Sequence, residues 1–146
     1  MSANSELFIE RLHALTDVDS DDYLENHLFD LCLLVEDDPD SSSVIPHIFA
    51  FFEAHPEADF GSPGPLVHFL EKQPDYKGHL IESIVRKPAA PCVWMINRIL
   101  NSKISSEKRA SLIDLLLSVL TNPRADEYAR DQAEHVLTYQ TSRRRS

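Results

Sequence analysis

The chain has 146 residues, 42% hydrophobic and 26% charged, a balance that fits one globular domain and leaves too little length for two ordinary ones. No apolar run approaches the ~20 residues that a membrane-spanning helix needs, and a formal net charge of −10 disfavours nucleic acid and anionic membranes as partners. The charge is divided unevenly: residues 1–75 carry 17 acids against two bases, Arg11 and Lys72, whereas residues 76–146 carry 7 acids against 12 bases.

The chain opens with "MSANSELFIERLHAL", which has neither the basic start nor the small-residue cleavage site of a signal peptide. A cytoplasmic protein is expected, with Cys32 and Cys92 as free thiols in a reducing compartment. Apolar residues recur at helical spacing almost throughout, and nowhere alternate long enough for a half-buried strand, so the fold class is all-α. A first helix is predicted over Ser5 to Leu15. The second spans Asp21 to Val35, with Leu24, Leu28, Leu31, Cys32 and Val35 on one stripe and Ser20 as its N-cap.

The segment from Asp17 to Asp40 holds ten acids and no Lys or Arg. One reading is the solvated face of a helix and its loops. The other is a binding surface, because so many like charges without a compensating base repel one another, and ordinary surfaces mix the two signs. On the second reading Asp17, Asp19, Asp21, Asp22, Glu25, Glu36, Asp37, Asp38 and Asp40 meet a cationic protein partner.

A third helix follows the serines 41–43 and ends near His55, with Pro46 in its first turn. Next comes "DFGSPGPLVHFLEKQPDYKGHL", residues 59–80, which contains all three glycines of the chain. Gly61 and Gly64 are turn formers, and Pro65 has the fixed φ suited to the first position of a helix over "LVHFLEK". A phosphate-binding loop is not expected, since no Lys-Ser or Lys-Thr follows the glycines and no buried strand precedes them. Further helices are predicted at Tyr76 to Arg86, Pro91 to Asn101, Ser106 to Leu120 and Ala125 to Gln140, with a disordered tail over 141–146. Short connections make sequential helices antiparallel neighbours, in a bundle or in stacked pairs of a short α-solenoid.

Seven histidines are scattered over different helices, without an HExxH pair or a Cys–His cluster at ligand spacing, so no metal or cofactor is expected. The serines lack a GxSxG turn, and neither cysteine has a catalytic context. In "PCVWMINRILN", Val93, Ile96 and Leu100 share one face of a helix. Trp94, Asn97 and Arg98 then form either a recognition patch, Trp and Arg being favoured at binding hot spots, or parts of the scaffold. On the scaffold reading Trp94 fills the core, Arg98 pairs with Glu71 or Glu82, and Asn101 caps the helix.

The phrases "GSPGPLVHFLE", "LIESIVRKP", "VWMINRILN" and "ADEYARDQAEHVLTYQ" together resemble a family of small bacterial immunity proteins of polymorphic or contact-dependent toxin systems. The resemblance runs from Asp59 to Gln140. It implies helices in HEAT-like pairs and a cytoplasmic inhibitor that binds a cognate toxin without chemistry of its own. The family's phrases fall on Gly61, Pro63, Gly64, Pro65, His68, Glu71, Trp94, Asn97, Arg98 and Asn101, which look like scaffold. The acidic half carries no such phrase; its charge suits a toxin with a basic surface, such as a nuclease. A helical-repeat adaptor between cellular proteins is the alternative, and an enzyme with histidines converging in space is a third reading.

Overall fold

Ser2 starts the first helix: its hydroxyl accepts the Ser5 amide at 3.0 Å, satisfying one of the amides a helix leaves unpaired at its start. The computed structural model describes residues 1–16 and 18–145. In chain order the helices are α1 Ala3–Ala14, α2 Leu24–Val35, α3 Ile45–Ala54, α4 Pro65–Glu71, α5 Tyr76–Arg86, α6 Ala90–Leu100, α7 Ser106–Thr121 and α8 Glu127–Arg145. One 3-10 turn, Ser41–Val44, leads into α3. The described residues contain no strand, so the fold is all-α as the periodicity required.

Two helix limits differ from the sequence expectation for identifiable reasons. α2 begins at Leu24 rather than Asp21, and Ser20 is not its cap. The Asp21 carboxylate accepts the Tyr23 amide at 2.9 Å, and its other oxygen lies 2.9 Å from His27 Nδ1. That Asx-type turn holds residues 21–23 outside the helix. At the far end α8 continues to Arg145, so residues 141–145, expected to be frayed, are helical.

The packing partners fall into two rows. α1, α3, α5 and α7 pack in succession, and α2 packs on α4 while α6 packs on α8. Sequential helices α1 and α2, α5 and α6, α6 and α7, and α7 and α8 join the rows. A single hydrophobic cluster extends from Phe8 and Leu12 through Phe49, Phe52, Leu66, Leu70, Leu80, Ile84 and Ile96 to Leu116 and Val136. Each such fully buried side chain contributes about 1.5–3 kcal/mol over an exposed one. No helix among the described residues is long and apolar enough to cross a membrane.

Two bidentate pairs tie helices within the rows. Arg86 of α5 donates to both carboxylate oxygens of Glu53 on α3, at 2.8 and 2.7 Å. Arg98 of α6 does the same to Glu71 of α4, at 2.7 and 2.8 Å. The second pair spans the place where the even-numbered row is loosest, since α4 and α6 share no extensive packing. A cleft opens there.

Candidate functional site

Two surfaces collect the residues singled out in the sequence, the first being the acidic segment. Asp19, Asp22, Glu25, Glu36 and Asp37 are exposed. Among the described residues the one base in an ion pair with any of these five is Lys72, 3.9 Å from Glu36, so the charge stays largely uncompensated. Asp21, Asp38 and Asp40 are half-buried and hold backbone instead. Asp38 accepts the Ser2 hydroxyl at 2.7 Å and the Asp40 amide at 2.9 Å, and Asp40 accepts the Ser2 amide at 2.8 Å. That amide bond, with hydroxyls from Ser43 and Ser5, holds the Asp40 carboxyl below its usual range. Asp17 lies outside the described residues.

α2 also presents something the acidic pattern conceals. Its buried stripe is Leu24, Leu28, Leu31 and Val35, with Cys32 half-buried. Phe29 and Leu33, one turn apart on another side, are 56% and 53% exposed. Asp30 lies between them, Asp22 and Glu25 precede them and Glu36 and Asp37 follow, so an apolar pair sits inside a rim of carboxylates. Sequence reasoning overlooked both residues because it followed the buried stripe; their signal was apolar side chains at i and i+4 off that stripe.

The second surface is the cleft beside α6. Residues 57–63 form one wall, Trp94, Asn97 and Arg98 of α6 the other, and Tyr128 of α8 closes one side, around about 630 Å³. The loop wall owes its shape to its glycines. Gly61 and Gly64 have φ of 109° and 91°, and the peptide between Ser62 and Pro63 is cis. A Cβ on Gly64 would stand 1.9 Å from the Phe60 carbonyl oxygen, so only glycine fits.

The structure separates the three α6 candidates. Asn97 is buried, and its side-chain oxygen accepts from Gln140 Nε2 at 2.6 Å. Gln140 also donates to Asn101 at 2.9 Å and accepts from Arg109 at 3.0 Å, so Asn97 belongs to a network joining α6, α7 and α8. Arg98 is engaged by Glu71, whose hydrogen bonds and charge raise its pKa. Asn101 is the C-cap, as the scaffold reading held. Trp94 departs from that reading: it is 41% exposed rather than in the core. Its indole N–H donates to Gln132 of α8 at 2.8 Å, which anchors the ring edge. The helix turns Val93, Met95 and Ile96 inward on either side, and that rotation carries Trp94 to the rim.

The thiols are not poised as nucleophiles. Burial pushes both Cys32 and Cys92 up to about 12, leaving almost no thiolate at neutral pH. The His13 and His47 rings lie 5.5 Å apart, and His55 lies against Phe51. No group of three or more His, Cys, Asp or Glu converges as a metal site among the described residues. Comparison of the chain with protein-family models, with curated proteins and with solved structures finds no match in any of the three.

Proposed function

We propose that this chain is a non-enzymatic immunity protein, acting in the cytoplasm, that binds a cognate bacterial toxin through the acidic surface of α2 and occludes the toxin's active or functional surface. The observation that carries the reading is the exposed Phe29 and Leu33 pair inside its rim of carboxylates. An apolar centre surrounded by charge is the usual anatomy of a protein interface: the centre supplies affinity once dehydrated, and the rim supplies orientation and speed. A rim of Asp22, Glu25, Asp30, Glu36 and Asp37 selects a partner whose own rim is Lys and Arg. A toxin is proposed as that partner because phrases within residues 59–140 resemble those of immunity proteins, and the charge favours a basic one such as a nuclease.

The test is copurification from the native locus followed by a protection assay. A basic toxin should be retained by the wild-type chain and lost with the double substitution Phe29→Ser and Leu33→Ser, and protection of cells should fall with it. Both substitutions remove exposed apolar area and leave the core untouched, so the melting temperature should hold. Full protection by the double variant would overturn the assignment of the interface to α2.

A further inference from the structure

The cleft beside α6 has a chemical character distinct from the surface of α2. Trp94 and Tyr128 are 41% and 42% exposed, and both line it. The bond from the Trp94 indole to Gln132 fixes the ring before any ligand arrives. Tyr128 lies one turn before Gln132 on α8, so the residue that anchors Trp94 and the second aromatic residue share one stretch of helix. The lining also holds Glu57 and Asp59, both exposed and in no ion pair among the described residues. Asp59 uses one oxygen for the Gly61 amide at 2.9 Å. The one cationic side chain of the lining, Arg98, is matched by its fork onto Glu71. The cleft therefore brings two exposed aromatic side chains, Trp94 anchored by its indole N–H, together with unmatched negative charge.

We propose that this cleft is a second binding site, which takes an arginine side chain carried on an extended segment of a partner protein. A planar guanidinium stacks on an indole or phenol face by cation–π attraction while its N–H groups reach carboxylates at the edge. Its weak hydration makes it easier to desolvate than an ammonium. The volume of about 630 Å³ falls within the ~300–1,000 Å³ of ligand pockets and leaves room for backbone on either side of the inserted residue. An anionic segment is disfavoured, because it would meet Glu57 and Asp59 with no unmatched base in the lining. The site stands independently of the toxin reading, which concerns α2.

Trp94 is the only tryptophan of the chain, so tryptophan fluorescence is read from a residue that lines this cleft. The probes are Gly-Arg-Gly and the same peptide with citrulline, which keeps the shape of arginine and removes the charge. Gly-Arg-Gly should change Trp94 emission saturably, with affinity falling as salt rises. The citrulline peptide should bind about tenfold more weakly or worse. Glu57→Gln with Asp59→Asn should give a similar loss; Asn retains the oxygen that accepts the Gly61 amide, so the loop keeps its turn. Asp30→Lys with Asp37→Lys, at α2 and outside the lining of the cleft, should leave the titration unchanged. Equal binding of the two peptides, an unaltered titration in the Glu57→Gln, Asp59→Asn variant, or no saturable response would each overturn the proposal.

Discussion

Arg98 on α6 and Arg86 on α5 make the same contact one row apart: each grips a single glutamate, Glu71 on α4 and Glu53 on α3, through two hydrogen bonds of 2.7 to 2.8 Å. The similarity of geometry hides a difference of context. α3 and α5 pack closely, whereas α4 and α6 share no extensive packing. Arg86 reinforces an existing contact, while Arg98 spans a gap.

Substituting lysine for each arginine should separate the two roles. Lysine keeps the charge and loses the fork. Both guanidinium groups are more than one-third exposed, at 52% and 42%, so solvent screening holds the cost of either change to about 1 kcal/mol or less. Arg98→Lys should also loosen the wall of the cleft and alter Trp94 emission; Arg86→Lys should not. Chemical denaturation and fluorescence on the two variants measure both effects.

Two glycine substitutions should act in opposite directions. Gly64→Ala forces a Cβ into the Phe60 carbonyl at a φ of 91° and should cost about 2 kcal/mol or more. Gly78 lies inside α5, and a Cβ there meets nothing within 4 Å. Gly78→Ala should stabilise by about 0.5–1 kcal/mol through helix propensity. Melting temperatures of the two variants, compared with wild type, test the pair.

Gln140 is 1% exposed and satisfies Asn97, Asn101 and Arg109 together. Gln140→Leu keeps the approximate volume and leaves the buried Asn97 oxygen without that donor. A loss of about 1–3 kcal/mol is expected, read as a lowered denaturation midpoint with an unchanged helical spectrum.

Burial, followed by the neighbouring charge of His13, lowers the pKa of His47 below its ordinary 6.5. The unfolded chain then binds more protons here than the folded one, so stability is fully present above pH 6.5 and is lost as the pH falls through the folded value. Denaturation midpoints at about pH 7.5 and about pH 5.5 should differ less for His47→Gln than for wild type. An undiminished difference would place the pH dependence elsewhere.

Just beyond the C-terminus of α2, Asp37→Lys should raise the melting temperature by relieving negative charge at the negative end of the helix dipole, worth about 0.3–1 kcal/mol. The same variant should associate more slowly with a basic toxin and show a shallower salt dependence. Asp38→Lys should behave differently and lower stability, because Asp38 holds the Ser2 hydroxyl. Stopped-flow association and thermal melts on the two variants check this division.

The helical fold was legible because apolar spacing, prolines and turn residues all agree along the chain. Gly64, Pro65 and the start of α4 follow from local stereochemistry alone, and so does the cap at Asn101. The start of α2 was misplaced because Asp21 has two competing uses, as a helix-leading acid or as a turn acceptor, and the contact to His27 accompanies the second. Pairings across distant sequence are a different matter. Nothing in the pattern of α6 shows that Gln140, 43 positions from Asn97, would be its partner. Trp94 was misjudged for a related reason: large aromatic residues usually enter cores, and the pattern of α6 does not show that this indole bonds Gln132 of α8 at the surface.

The dependence of α6 and α7 on α8 has a consequence for synthesis on the ribosome. Translation at roughly 5–20 residues per second completes α7 about 1–4 seconds before Gln140 is added, and Ala129, Ala133, Val136 and Gln140 of α8 are all buried in the finished fold. For that interval Asn97 and Arg109 lack their glutamine, and the apolar flank of α6 is open to whatever is nearby. A nascent chain arrested before α8 should therefore be held by chaperones, and should let go of them when the remaining residues emerge.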